Sequence, residues 1–302
     1  LTYKCISECD HCFVWGGPAQ EGTMTASVVD RILRQAQEAG GIDWIWFEGG
    51  EPFLYFPLLE WSVRRAFEAG FKVGLVTNGY WAVSSEDAPL YLRPLQPYLT
   101  QLDVSSDEYH LPAVPAERAA RAAQAAESLG IIAEIVSVAP PADLDAPSRR
   151  GLLPAGESRV MCRGRASAKL APLIPGRPIE ELIECPHENL RNPERLHVDA
   201  LGFVQICQGI SIGNVMNKSL GEIFRDYDPG AGPVTEALLQ GGPALFARRS
   251  GLPLHSCYAD ACHLCYETRS GLRERYPNVL APDPMYGPPA PLLRDGMAPG
   301  KT

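Results

Sequence analysis

Three cysteines fall within eight residues near the start of this chain, in the run Cys5-Ile6-Ser7-Glu8-Cys9-Asp10-His11-Cys12. A C-x3-C-x2-C run cannot bury all three thiols as ordinary core packing. The three thiolates can converge on one face of a small metal cluster. Strand-like residues lead into the run, so the fold has to present this loop at the end of a strand. Iron–sulfur cubanes that only carry electrons usually take four cysteines. Three leave one iron open, where a small molecule can bind and react. The alternative is a zinc loop with His11 as fourth ligand. Zinc pairs usually come as C-x2-C with a distant second pair, and C-x3-C is unusual among them.

Beyond the run, short β-rich stretches alternate with amphipathic helical ones. Val28, Val29, Ile32, Leu33 and Ala36 recur at helical spacing over 25–39, and Gly40-Gly41 is the stop. A second helix is expected over 58–69, ended by Gly70, and an Ala-rich third over 116–129, ended by Gly130. Strands are expected at 43–47, 71–76, 101–106 and 131–138, with a further one near 158–162. Strand and helix in alternation with short links imply right-handed βαβ units and a parallel sheet. A dinucleotide-binding sheet would carry a Gly-rich turn after the first strand. Here that turn is the cysteine loop.

The chain has 302 residues, enough for one large domain and a small one. Its 45% hydrophobic and 21% charged residues describe a globular protein. No apolar stretch approaches the ~20 residues needed to span a bilayer, and no signal-peptide pattern precedes Cys5. A net charge of −9 and the lack of a long basic run argue against nucleic acid as a partner. The nine cysteines, some in C-x2-C spacing, read as metal binding in a reducing cytoplasm.

The alternation breaks at Pro140-Pro141, and 140–156 reads as a loop. A second unit starts near Leu170. Residues 197–206 read as a hairpin turning near Gly202. Residues 219–226 read as a short helix with Ser219 as N-cap. From Tyr276 onward the sequence is Pro-rich and reads as an irregular tail. Cys185, Cys207, Cys257, Cys262 and Cys265 form a second group. The C-x2-C pair suits a zinc site, with His255 or His263, as naturally as an iron–sulfur cluster.

The first cysteine run, with His11 at an aromatic position, resembles the cluster motif of radical S-adenosylmethionine (radical SAM) enzymes. Glu48-Gly49-Gly50-Glu51-Pro52 is similar to that family's Gly-Gly-Glu-Pro element. Thr77-Asn78-Gly79 and Asp107-Glu108-Tyr109-His110 are similar to its third and fourth strand ends. The resemblance covers about the first 140 residues and implies an α/β fold: a partial (β/α)6 TIM-type barrel over 1–168. It further implies a [4Fe–4S] cluster on Cys5, Cys9 and Cys12, with S-adenosylmethionine on the open iron. His11 would lie near the adenine, and Gly49, Gly50 and Glu51 would hold the methionine amine. Asn78 and Ser105 would line the cofactor, although Asn78-Gly79 is also a common turn pair and Ser105 a possible helix cap. Asp107 would lie near the ribose or the substrate, and His110 is a candidate proton acceptor beside it. Arg163 and Arg165 are candidates for the methionine carboxylate.

The stretch from His197 to Phe224 looks like the auxiliary-cluster extension of these enzymes, called SPASM or, in its shorter form, twitch. The resemblance implies a small α+β domain over 169–275 with a β-hairpin, followed by a tail over 276–302. Cys185, Cys207, Cys262 and Cys265 are the ligands expected for one auxiliary [4Fe–4S] cluster. Cys257 and Cys162 are then spare, and either is a candidate to replace a ligand or to return a hydrogen atom to a substrate radical. The implied activity is reductive cleavage of S-adenosylmethionine and hydrogen abstraction from a small-molecule or peptide substrate, ending in oxidation or epimerisation. Peptide crosslinking is the alternative, and a non-catalytic iron–sulfur carrier or zinc protein is the alternative of another class. The first expected strand opens the sequence, which favours a small or self-presenting substrate over a leader peptide. A flavodoxin- or ferredoxin-type donor and a cytoplasmic location complete the expectation.

Overall fold

The computed structural model describes residues 1–110, 113–139 and 160–287. Four parallel strands, β1 (Trp44–Phe47), β2 (Lys72–Thr77), β3 (Gln101–Ser105) and β4 (Ile132–Val136), lie side by side in chain order. Each crossover therefore moves one strand along the sheet, the arrangement of a partial TIM-type barrel. The helix α1 (Ala26–Ala39) precedes β1, and α2 (Phe56–Glu68), α3 (Ala88–Leu92) and α4 (Ala116–Ser128) lie in the three crossovers.

Local chemistry explains the boundaries. The Thr25 side chain accepts the Val28 N–H at the start of α1, and Gly40, at φ 71°, ends it. Helix α1 buries Val29, Leu33 and Ala36, one stripe at helical spacing. Helix α4 buries Ala119, Ala122, Ala123 and Ala126. These small side chains let it approach closely enough for Gly79 to sit 3.4 Å, measured from an ideal Cβ, from Ala119 Cα.

Two barrel expectations need correction. Residues 1–4 form no strand: Thr2 bridges Gly49 in parallel and Lys4 bridges Gly17, each as a single pair. No strand forms over residues 160–162, and 158–159 lie outside the described residues. The loop expected over 140–156 also lies outside them.

The second unit holds a three-stranded antiparallel sheet of β6 (His197–Val198), β7 (Phe203–Cys207) and β8 (Ile210–Asn214), since β5 (Arg177–Pro178) pairs elsewhere, with β9 (Cys257–Tyr258). The expected hairpin turn is there. Asp199 Oδ1 accepts the N–H groups of Leu201 and Phe203, and Gly202 has a φ of 84°. The helix α5 (Arg165–Lys169) precedes this unit, and α6 (Leu220–Asp226) follows the sheet. Ser219 and Glu222 close a capping box at the start of α6. Four helices escaped the sequence reading: the short α3 and α5, and the longer α7 (Thr235–Ser250), kinked at Gly241-Gly242, and α8 (Ala261–Gly271).

The barrel core continues into the second unit through Val204, Val215, Leu220 and Ile223. Residues 276–287 are not a loose tail: Leu280, Ala281 and Met285 are buried, and Ser211 donates its N–H to Val279 O at 2.7 Å. Residues 288–302 lie outside the described residues.

Candidate active site and second cysteine site

Cys5, Cys9 and Cys12 line a cavity of about 200 Å³ at the C-terminal ends of the parallel strands. Parallel barrels carry their chemistry at that end. Gly49, Gly50, Asn78, Ser105, Asp107 and His110 line the same cavity. Backbone N–H groups already point at the sulfurs: Ser7 donates to Cys5 Sγ at 3.4 Å and Gly16 to Cys12 Sγ at 3.2 Å. The Asn78 amide donates to Cys5 Sγ at 3.8 Å. Burial pushes the Cys5 thiol up to about 11 and the Cys9 thiol further. A cationic metal core is what turns such buried thiols into thiolates.

Arg165 holds this loop in shape. Its guanidinium donates to Cys9 O at 2.8 Å and Gly16 O at 2.7 Å and lies 5.4 Å from the Trp15 ring centroid. The backbone N–H of Arg165 also donates to Cys12 O at 2.9 Å. Gly164 makes the approach possible: its φ is 62°, and a Cβ there would stand 2.6 Å from Cys12 O. Arg165 therefore braces the loop through its carbonyls, which occupies the donors expected to meet a methionine carboxylate.

The Gly-Gly-Glu-Pro element divides its work. A Cβ at Gly49 would stand 2.2 Å from Thr2 O, and one at Gly50 2.1 Å from Lys4 O. Only glycine lets residues 2–4 pass this close, with Gly50 N donating to Thr2 O at 2.6 Å. Both glycines line the cavity. Glu51 does not: it is fully buried, and its oxygens accept from Phe53 N (3.1 Å), Thr77 Oγ1 (2.8 Å) and Asn78 N (2.8 Å). The carboxylate expected to meet the methionine amine instead ties the end of β1 to the end of β2. The cavity-facing carboxylate of this segment is Glu48.

On the opposite wall, Asp107 Oδ1 lies 2.7 Å from His110 Nδ1, and Asp107 Oδ2 lies 3.7 Å from His11 Nε2. Burial works to raise the Asp107 carboxyl, but the His110 hydrogen bond and the two imidazoles outweigh it and hold it below the usual range. Burial lowers His11 to about 4, which keeps it a neutral ring, 4.7 Å from the Tyr109 ring.

Sequence reasoning missed the wall built by the second unit. His197 Nδ1 lies 3.0 Å from Glu48 Oε1, and His197 Nε2 lies 3.2 Å from Gln208 Nε2. His197 and Gln208 come from the hairpin and its following turn, about 150 residues from Glu48, so no local spacing links them.

Cys185, Cys207, Cys262 and Cys265 converge on a second, smaller cavity, together with Arg163, Glu188 and Arg269. Cys262 and Cys265 come from the first turn and a half of α8, whose start is fixed by Asp260 Oδ1 accepting His263 N at 2.6 Å. Burial pushes the Cys265 thiol up to about 12 and that of Cys262 well above the ordinary range. Arg269 is 1% exposed, and no carboxylate lies within 4.0 Å of it among the described residues. It donates from Nη1 to Gln208 O at 2.7 Å. A buried cation without a carboxylate costs several kcal/mol unless another anion compensates it. Four thiolates in this cavity would carry that negative charge. Among the described residues, the donors that approach within 4.8 Å of one another in threes are those of His11, Asp107 and His110. The cysteine sulfurs do not.

The remaining candidates fall elsewhere. Cys257 is exposed on β9 and lines neither cavity. Cys162 is fully buried, its backbone N–H donating to Asp260 Oδ2 at 3.0 Å, and it also lines neither. The Arg163 side chain donates to Cys207 Sγ and Glu188 Oε1, each at 3.3 Å.

Residues 1–141 match the model of the radical SAM superfamily of domains. Such domains use a [4Fe–4S] cluster and S-adenosylmethionine. The chain is 27% identical over 117 residues to "Putative peptide biosynthesis protein YydG" of Bacillus subtilis (strain 168), covering 38% of this chain and 36% of that protein. It is 32% identical over 79 residues to "S-adenosylmethionine-dependent nucleotide dehydratase" of Selenomonas ruminantium, covering 26% and 28%. The chain thus spans about a third of the length of the curated relatives it matches. A crystal structure of BtrN in complex with AdoMet and 2-DOIA aligns with a TM-score of 0.43 and 16% identity, covering 74% of this chain and 79% of that one. No helix among the described residues is long and apolar enough to cross a membrane.

Proposed function

We propose that this chain is a radical SAM oxidoreductase that carries a second iron–sulfur cluster. Cys5, Cys9 and Cys12 would hold the first cluster, and Gly49 and Gly50 would present their backbone to the methionine end of S-adenosylmethionine. When bound, this pair supplies a 5′-deoxyadenosyl radical by one-electron cleavage of a C–S bond. Cys185, Cys207, Cys262 and Cys265 would hold the second cluster. The unit over 1–168 would serve the first site, and the unit from 169 the second.

One observation carries the reading: seven of the nine cysteines line two separate cavities, three in the larger and four in the smaller. The three-cysteine site has an incomplete ligand set for a cubane, as reactive chemistry needs, and the four-cysteine site has a complete one, as electron transfer needs. Oxidation is favoured over epimerisation because the two spare thiols, Cys162 and Cys257, line neither cavity and so offer no hydrogen atom to a radical there. The substrate carbon would lose a hydrogen atom to the 5′-deoxyadenosyl radical, then one electron and one proton, to give a carbonyl or imine. An external flavodoxin- or ferredoxin-type donor would supply the electron that starts each turnover.

The test is anaerobic incubation of the reconstituted protein with S-adenosylmethionine, a strong reductant, and panels of amino alcohols, polyols and short peptides in deuterated water. Loss of two hydrogens from one compound per 5′-deoxyadenosine formed is expected. Solvent deuterium at a substrate carbon with no such loss would refute oxidation. A peptide substrate is the second reading, supported by the printed name of the Bacillus relative.

A further inference from the structure

Among the described residues, Arg163 alone lines both cavities. It is 3% exposed. On one side its guanidinium lies 5.6 Å from the ring centroid of Phe13, the neighbour of Cys12. On the other, Nη1 donates to Cys207 Sγ at 3.3 Å and to Glu188 Oε1 at 3.3 Å. Arginine stays charged in proteins, so a permanent positive charge is fixed in the wall between the two sites. Arg195 also reaches Glu188 Oε1, at 3.3 Å, so two arginines share that carboxylate.

We propose that Arg163 sets the electron affinity of the second cysteine site, poising it to accept an electron from a radical in the larger cavity. Reducing a four-thiolate cluster adds a negative charge beside this guanidinium, and the N–H at the Cys207 sulfur binds the more negative state more strongly. Hydrogen bonds to cluster sulfurs and local charge are the levers that raise such potentials. Both act at close range in a buried setting, where screening is weak. In the step served, the substrate radical is oxidised by one electron and releases one proton, and the oxidised second cluster is reduced by that electron. The inference rests on the second site holding a cluster.

The experiment is an EPR-monitored redox titration of the full chain with both clusters reconstituted, for the wild type, Arg163→Gln and Arg163→Lys, alongside iron content. At a fixed potential, Arg163→Gln should lower the reduced-to-oxidised ratio of the second cluster at least tenfold, a fall of about 59 mV for one electron. Arg163→Lys keeps the charge, loses the fork that reaches Cys207, and should fall by less. The first cluster should shift less than the second in both. An unshifted second cluster in Arg163→Gln overturns the proposal. If that variant fails to hold its second cluster, Arg163→Lys decides: a lowered potential supports the proposal and a wild-type potential overturns it. Wild-type protein with iron for one cluster only would instead refute the two-cluster reading itself, a result distinct from an unshifted potential.

Discussion

Replacing Arg165 with methionine should loosen the first cluster far more than it destabilises the empty protein. The side chain is 7% exposed, and no carboxylate lies within 4.0 Å among the described residues. Arg165→Met keeps most of the volume but removes two charge-assisted hydrogen bonds. Cys9 O keeps the Cys12 N–H at 3.0 Å, whereas Gly16 O loses the partner that reaches it at 2.7 Å. One orphaned carbonyl costs about 1–3 kcal/mol and the second lost bond, at a carbonyl that keeps another donor, adds about 1, for a total of roughly 2–4. In the empty protein, removing an uncompensated buried cation returns a similar amount, so the net change should stay within about 2 kcal/mol. With the cluster bound, its negative charge already compensates the guanidinium, and the full 2–4 kcal/mol is lost. Retention of the first cluster then falls by roughly 30- to 1000-fold. The assay pairs urea unfolding of metal-free protein with the cluster's loss under a graded iron chelator. Equal chelator resistance in Arg165→Met and wild type would refute the reasoning.

The other predictions use different parts of the fold. Cys262→Ala should remove about one cluster's iron and leave S-adenosylmethionine cleavage detectable, while Cys257→Ala keeps full iron; iron analysis showing the reverse would mean the ligand set is wrong. Gly50→Ala should cost about 1–3 kcal/mol and lower first-site iron, because its Cβ would meet Lys4 O at 2.1 Å, whereas Gly221→Ala, with nothing within 4 Å, should be neutral or gain up to about 1 kcal/mol. Equal denaturation midpoints for these two variants would contradict the close-approach argument. Burial, with Glu134 opposite it in the ladder, raises the Asp103 carboxyl to about 6 despite the Gln101 hydrogen bond. The folded state then keeps a proton that the unfolded state has lost between pH 3.8 and 6, so stability from this group falls as pH rises through that window. Asp103→Asn should remove the fall, gaining about 2 kcal/mol over wild type between pH 4 and pH 8 after allowance for solvent screening; a pH-independent difference in unfolding free energy would argue against it.

The parts of the molecule that were legible in the sequence are those written in local spacing. Helix α1 announces itself by Val29, Leu33 and Ala36 and by the glycine that stops it, and the strand ends by the motifs that follow them. The cysteine loop, the Asp199–Gly202 turn and the Ser219 capping box are local as well. What was not legible depends on distant partners. Nothing near Glu51 says that Thr77 and Asn78 will saturate its carboxylate, and nothing near Arg165 says that its donors will end on Cys9 and Gly16. Helix α7 hid behind Gly241-Gly242-Pro243, which reads as a break in sequence and is a kink in the structure. The prolines after Tyr276 read as a tail, yet Leu280 and Met285 anchor that segment in the core. The second cysteine set is legible as a set; that Cys257 stands on β9, outside the cavity lined by the other four, depends on pairing with Arg177–Pro178 that no local spacing announces.

The most direct measurement is 5′-deoxyadenosine formation by anaerobically reconstituted protein given S-adenosylmethionine and a strong reductant, with Cys12→Ala run in parallel. The nucleoside should accumulate with wild-type protein and not with Cys12→Ala. Equal amounts from the two, or none from fully iron-loaded wild-type protein across the substrate panels, would contradict the assignment of Cys5, Cys9 and Cys12 to a cluster that cleaves S-adenosylmethionine.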